Sequence, residues 1–159
     1  MTTTTQSLTR TAILNVTILT IACLIPAASH LLAMPLYVLN PMLALLMASI
    51  LIVRDGRNAL LMAVLLPSVS FIFTGMPSAL KMICMITELA TVATLFDWLK
   101  RRWAVLPAML ISVIAAKVVY YALKALIIAP AVLVSTQWTI QLLTILLWTG
   151  IFSILYKKA

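Results

Sequence analysis

Six apolar runs, separated by short turns rich in proline, glycine, asparagine or charge, organise this chain. They predict helices over about residues 11–33, 36–53, 58–74, 79–99, 104–129 and 135–156, each near the ~20 residues that cross a hydrocarbon core. Pro26 falls near the end of the first run. A proline removes one backbone donor and kinks a helix, so the last turn there is expected to bend or unwind. Met34 to Pro41, with two prolines and Asn40, reads as a turn. The second run is short, and residues 36–39 are expected to serve as an extended or 3₁₀ entry to it. Arg54-Asp55-Gly56-Arg57-Asn58 and Thr74-Gly75-Met76-Pro77-Ser78 are the next turns, with Ser78 placed to cap the fourth helix. Lys100-Arg101-Arg102, Pro130 and Lys157-Lys158 mark the remaining boundaries.

Composition turns these runs into membrane spans. Of 159 residues, 65% are hydrophobic and 9% charged, and the mean hydropathy is +1.21. So few charges do not build the polar surface of a soluble domain, so lipid is the expected covering. The reading is a single all-α transmembrane domain, residues 1–159, with no separate soluble domain. The N-terminal ten residues are polar and expected to fray. With Pro26-Ala27-Ala28-Ser29 downstream they faintly resemble a secretory signal. Their single Arg10 is a poor positive n-region, and the segment is read as a helix that stays.

The net charge of +8 invites a nucleic-acid reading, which its distribution opposes. Arg10, Arg54, Arg57, Lys100, Arg101, Arg102, Lys157 and Lys158 all fall on one side when the spans alternate. The opposite turns, 34–40, 74–78 and 130–134, carry no charge. By the positive-inside rule both termini are expected in the cytoplasm. Trp98, Trp103 and Tyr156 flank the basic clusters as interfacial aromatics do.

Topology leaves other charges unexplained. Glu88, Lys117 and Lys124 lie within spans, and Lys81 sits at the mouth of the fourth. Charge inside a membrane is costly and usually marks function. Lys81 and Glu88 are seven apart on one helix face, and so are Lys117 and Lys124. Counting ~1.5 Å per residue, Glu88 lies about 14 Å and Lys117 about 15 Å from the same outer surface. Lys81 and Lys124 are level with each other near the rim. The plainer reading is a buried Glu88–Lys117 pair that locks two helices, with the rim lysines snorkelling to water. The functional reading is an outward pocket for a polar ligand, because His30, Asn40, Tyr120, Tyr121, Gln137, Trp138 and Gln141 gather in the same half. Of the adjacent tyrosines, only one is expected to share the lysine face.

Catalysis finds little support. There is no GxSxG serine, no carboxylate placed beside His30, no metal-ligand spacing and no phosphate-binding glycine loop. Cys23 and Cys84 lie in apolar runs and read as small buried hydrophobes. Neither an enzyme nor a cofactor is expected. Ala44/Ala48, Ala59/Ala63, Ala104/Ala108 and Ala125/Ala129 have the four-residue spacing that allows close helix packing.

Six helices in about 160 residues, both ends inside, with an outward polar pocket, resemble the substrate-binding S component of energy-coupling-factor vitamin transporters. Asn40-Pro41-Met42 through Leu66-Pro67, Gly75-Met76-Pro77 and Glu88-Leu89 carry the local likeness. The resemblance implies capture of a vitamin-like micronutrient at the outer side of a bacterial or archaeal cytoplasmic membrane. It further implies docking on a transmembrane coupling subunit driven by two ATPase subunits. In that family the first helix usually bears an Ala-x-x-x-Ala pair; here Ser7/Thr11 only approximates one. On this reading Lys117 and Lys124 hold an acidic group, Glu88 sets a polar contact or balances Lys117, and Trp138 or Tyr121 stacks on a ring. The expected ligand is a small anion or zwitterion. The alternative is an assembly subunit whose buried charges pair with a partner's helices; a membrane enzyme acting on lipid intermediates ranks last.

Overall fold

Each long apolar run becomes a helix in the computed structural model, which describes residues 2–33, 39–127 and 138–158. The helices are α1 (Thr2–Leu31), α2 (Pro41–Val53), α3 (Gly56–Thr74), α4 (Ala79–Leu99), α5 (Val105–Ile127) and α6 (Trp138–Lys158). Among the described residues there is no strand. All but α2 are long and apolar enough to cross a membrane. At 13 residues, α2 spans about 20 Å and falls short of a ~30 Å hydrocarbon core.

The bundle is a ring of α2, α3, α4, α5 and α6, with α1 packed outside it on α2 and α3. Leu43, Leu46, Met62, Leu66, Leu89, Val92, Met109 and Val113 fill the centre. Leucines on the outer faces, such as Leu142, Leu143, Leu146 and Leu147 of α6, stay exposed. An apolar exterior over a packed core is the arrangement of a multi-pass membrane protein, since lipid takes the place of water around it.

One end gathers the basic clusters. The Arg54 guanidinium donates to the Tyr156 carbonyl at 3.2 Å and lies 4.7 Å from the centre of its ring, joining the α2–α3 turn to the end of α6. Asp97, near the end of α4, pairs with Lys100 at 2.7 Å and Arg101 at 3.1 Å. It also lies against the start of α3, where a Cβ on Gly56 would meet its Cγ and Oδ1 at 2.8 Å. A side chain at position 56 would have to displace that carboxylate from its place beside Lys100 and Arg101. Asp55 caps α3, accepting from the backbone N–H groups of Arg57 and Asn58. The outer helix is tied in by amides: Asn15 Nδ2 donates to Asn58 Oδ1 at 2.6 Å, and Asn58 Nδ2 donates to Ser49 Oγ at 3.1 Å.

Several local expectations are corrected. Residues 2–10 continue α1 instead of fraying. Pro26 lies inside α1, which runs on to Leu31; a proline in a membrane helix is tolerated where neighbouring groups re-satisfy the freed backbone. α2 starts at Pro41, after a 3₁₀ residue at Leu39, and the rest of the expected entry, residues 36–38, lies outside the described residues. Ser78 precedes α4, but its side chain makes no cap bond; its carbonyl accepts from Met82 N at 2.8 Å.

Candidate functional site

The seven-residue spacings on α4 and α5 meet face to face. Lys117 Nζ lies 2.8 Å from Glu88 Oε1, and the two residues are 8% and 4% exposed. The pair is at contact distance, yet Oε1 accepts no well-directed hydrogen bond. The antiparallel register of α4 and α5 then sets Lys81 opposite Lys124, seven residues outward on each helix.

Aromatic rings fill the steps of this ladder. Tyr120 stands between the two α5 lysines, its ring centre 5.4 Å from Lys117 Nζ and 5.6 Å from Lys124 Nζ. Tyr121 is 5.9 Å from Lys124 Nζ. Both tyrosines thus flank Lys124, where only one was expected, because Tyr120 is four and Tyr121 three residues from it along the helix. The tyrosine rings meet edge to face at 5.1 Å, and Tyr121 meets Trp138 of α6 at 4.8 Å. From that contact Gln141 lies one turn farther in, between the levels of Tyr121 and Lys117. Its Oε1 is buried without a hydrogen-bond partner.

The site residues expected from the sequence therefore divide. Glu88, Lys117, Lys124, Lys81, Tyr121, Trp138 and Gln141 come together on α4, α5 and the start of α6. His30 is exposed near the end of α1, a helix that packs, among the described elements, on α2 and α3 alone. Asn40 is the residue before α2, with a left-handed backbone at φ 50°, and makes no side-chain cap bond. Its carbonyl accepts from Leu43 N and Ala44 N. Gln137 lies outside the described residues. Tyr120 joins the cluster, its three- and four-residue spacing from the lysines setting it beside both, and one neighbour of the site, Cys84, went unread. That cysteine is fully buried, between Lys81 and Glu88 on α4, within electrostatic reach of Lys124.

Depth follows from the short helix. Ser49 of α2 is bonded to Asn58 of α3, and Gly56 of α3 abuts Asp97 of α4. From the Gly56–Asp97 level, Glu88 lies about 14 Å and Pro41 about 15 Å outward. α2 thus stops level with the ion pair. Farther out, the helical wall consists of α3, α4, α5 and α6, with α1 alongside α3.

A shallow recess with room for about one water lies at the basic end, lined by residues that include Arg54, Asp55, Phe96, Asp97 and Lys100. Its two carboxylates are already engaged, Asp55 as a helix cap and Asp97 by Lys100 and Arg101.

The chain matches no protein-family model, no curated protein and no solved structure. Any functional assignment therefore rests on the residues themselves. Among the described residues no group of three or more His, Cys, Asp or Glu side chains is placed to hold a metal ion.

Proposed function

We propose that this chain is the substrate-capturing membrane subunit of a micronutrient importer, taking a small anionic or zwitterionic ligand from the side opposite its basic end. The observation that carries the reading is the buried Glu88–Lys117 pair at the level where α2 stops, with Lys124, Tyr121 and Trp138 stacked outward from it. A pair meant only to join two helices gains little from being ionic, since apolar residues of similar size do as well. It also needs no column of rings and further lysines leading away from it. The partnerless Gln141 Oε1 at nearly the same depth adds an acceptor for a ligand N–H or O–H.

In this reading the basic end faces the cytoplasm, as the positive-inside rule requires, and both termini lie there. The membrane is the cytoplasmic membrane of a bacterium or archaeon. Energy comes from a separate coupling subunit and its ATPases, in keeping with the resemblance to energy-coupling-factor S components. The test is mass spectrometry of small molecules retained through purification. The native protein is expected to carry a ligand and Lys117→Ala to lose it; equal retention by both would sink the assignment.

An assembly role has one observation in its favour. Only 11% of the most apolar stretch of α1 is buried, against 28% to 39% in the other span-length helices. A stable membrane partner that co-purifies in the absence of any retained small molecule would favour that reading.

A further inference from the structure

The ladder holds three lysines and one glutamate, and their pairing is unequal. Lys117 is engaged by Glu88 at 2.8 Å. Lys124 and Lys81 have no carboxylate partner among the described residues, whose ion pairs otherwise involve only Asp97. Both lysines lie on the outward side of the ion pair, and Lys124 is partly buried between the rings of Tyr120 and Tyr121. Two like charges that the register of α4 and α5 sets opposite each other repel, and an anion between them relieves the repulsion. Next to them, Trp138 packs on Tyr121 at 4.8 Å while remaining 46% exposed, leaving indole surface for a planar group.

We infer that the site is selective for an aromatic ring bearing a doubly charged anionic head, with Lys81 and Lys124 clamping the head and the exposed Trp138, backed by Tyr121, receiving the ring. The inference rests on the capture reading above and sharpens its substrate class. It also reassigns the acid-binding role expected of Lys117: that lysine neutralises Glu88, and Lys124 with Lys81 reads the ligand's charge. A phosphate monoester, whose second ionisation falls near pH 6, satisfies the clamp at neutral pH, and so does an aryl dicarboxylate. A lipid phosphate presents similar chemistry at the membrane rim, so the experiment separates the two sources.

The protein is reconstituted in phosphatidylcholine nanodiscs and titrated at pH 8 with phenyl phosphate and with benzoate. Phenyl phosphate is expected to bind at least tenfold tighter. Lys124→Gln is expected to weaken phenyl phosphate tenfold or more. Lys81→Gln, at an exposed position where folding is not at issue, is expected to bring the two probes within about twofold of each other. Trp138→Ala is expected to weaken both. Equal binding of benzoate and phenyl phosphate by the native protein overturns the double charge and leaves the capture reading standing. The same holds if the ligand retained through purification carries one negative charge or none. Failure of phenyl phosphate to bind overturns the inference; absence of any retained ligand removes the capture reading as well. If phosphatidylglycerol in the disc abolishes phenyl phosphate binding, and both lysine variants shed that lipid, the occupant is a headgroup and the inference falls.

Discussion

At the scale of single residues, the Glu88–Lys117 contact poses the sharpest question, because burial makes its two halves interdependent. Removing one partner strands the other charge out of water, which costs about 3–5 kcal/mol, whereas replacing both with apolar residues of like size is often neutral. Lys117→Ala is therefore expected to lower the thermal midpoint in detergent strongly. Glu88→Leu combined with Lys117→Met is expected to recover most of it. If the pair also serves binding, the double variant folds yet retains no ligand; a stable double variant that still carries ligand would confine the pair to a structural role. This contact was legible beforehand, since the seven-residue spacings and a count of depth were enough to set the two charges level. Tyr120 was harder to see. Adjacent tyrosines differ by about 100° around a helix, but long lysine stems bend toward both rings, and no count of Cα positions captures that reach. Gln141 was found as a polar residue near the rim, while its lack of a partner became visible only with the side chains in place.

At the scale of helices, boundaries marked by charge, glycine or proline were legible: α2 opens at Pro41 and α4 begins two residues after Pro77. Arg54 and Gly75 end α2 and α3 with left-handed backbones at φ 56° and 69°, matching the turns that their neighbours announce. Pro26 does not end α1, which runs on to Leu31, since a proline inside a membrane helix is tolerated where neighbouring groups re-satisfy the freed backbone. Ser78 was misjudged because residue type licenses a cap without requiring one. The α3–α4 junction at the basic end depends on an absent side chain. Gly56→Ala drives a Cβ to 2.8 Å from the Asp97 carboxylate, and the expected loss is about 1–3 kcal/mol, the usual range for overpacking. Asp97→Ala added to it should relieve the clash, leaving the double variant more stable than the sum of the single losses implies. Strict additivity in thermal or denaturant midpoints would show that the close approach does not matter.

For the whole molecule, the pattern of charge gave the gathering of basic residues at one end, and the contacts of Arg54 with Tyr156 and of Asp97 with Gly56 put them there. The position of α1 outside the ring was not legible, because its apolar run looks like the others and only packing tells a peripheral helix from a central one. Orientation across the membrane is open to a direct check. With Cys23 and Cys84 replaced by alanine, single cysteines at Arg57, Met76 and Lys157 are exposed to an impermeant maleimide on intact cells. Only Met76→Cys is expected to react, and labelling of the other two alone would invert the protein. The short second helix carries a consequence of its own. Left-handed residues bound it at both ends, Asn40 and Arg54, so its length is fixed by backbone geometry and not by the lipid around it. It acts as a ruler standing on the basic end. The ion pair level with its far end is therefore expected to keep its distance from the basic end in thin and thick bilayers alike, with any mismatch taken up at the opposite lip.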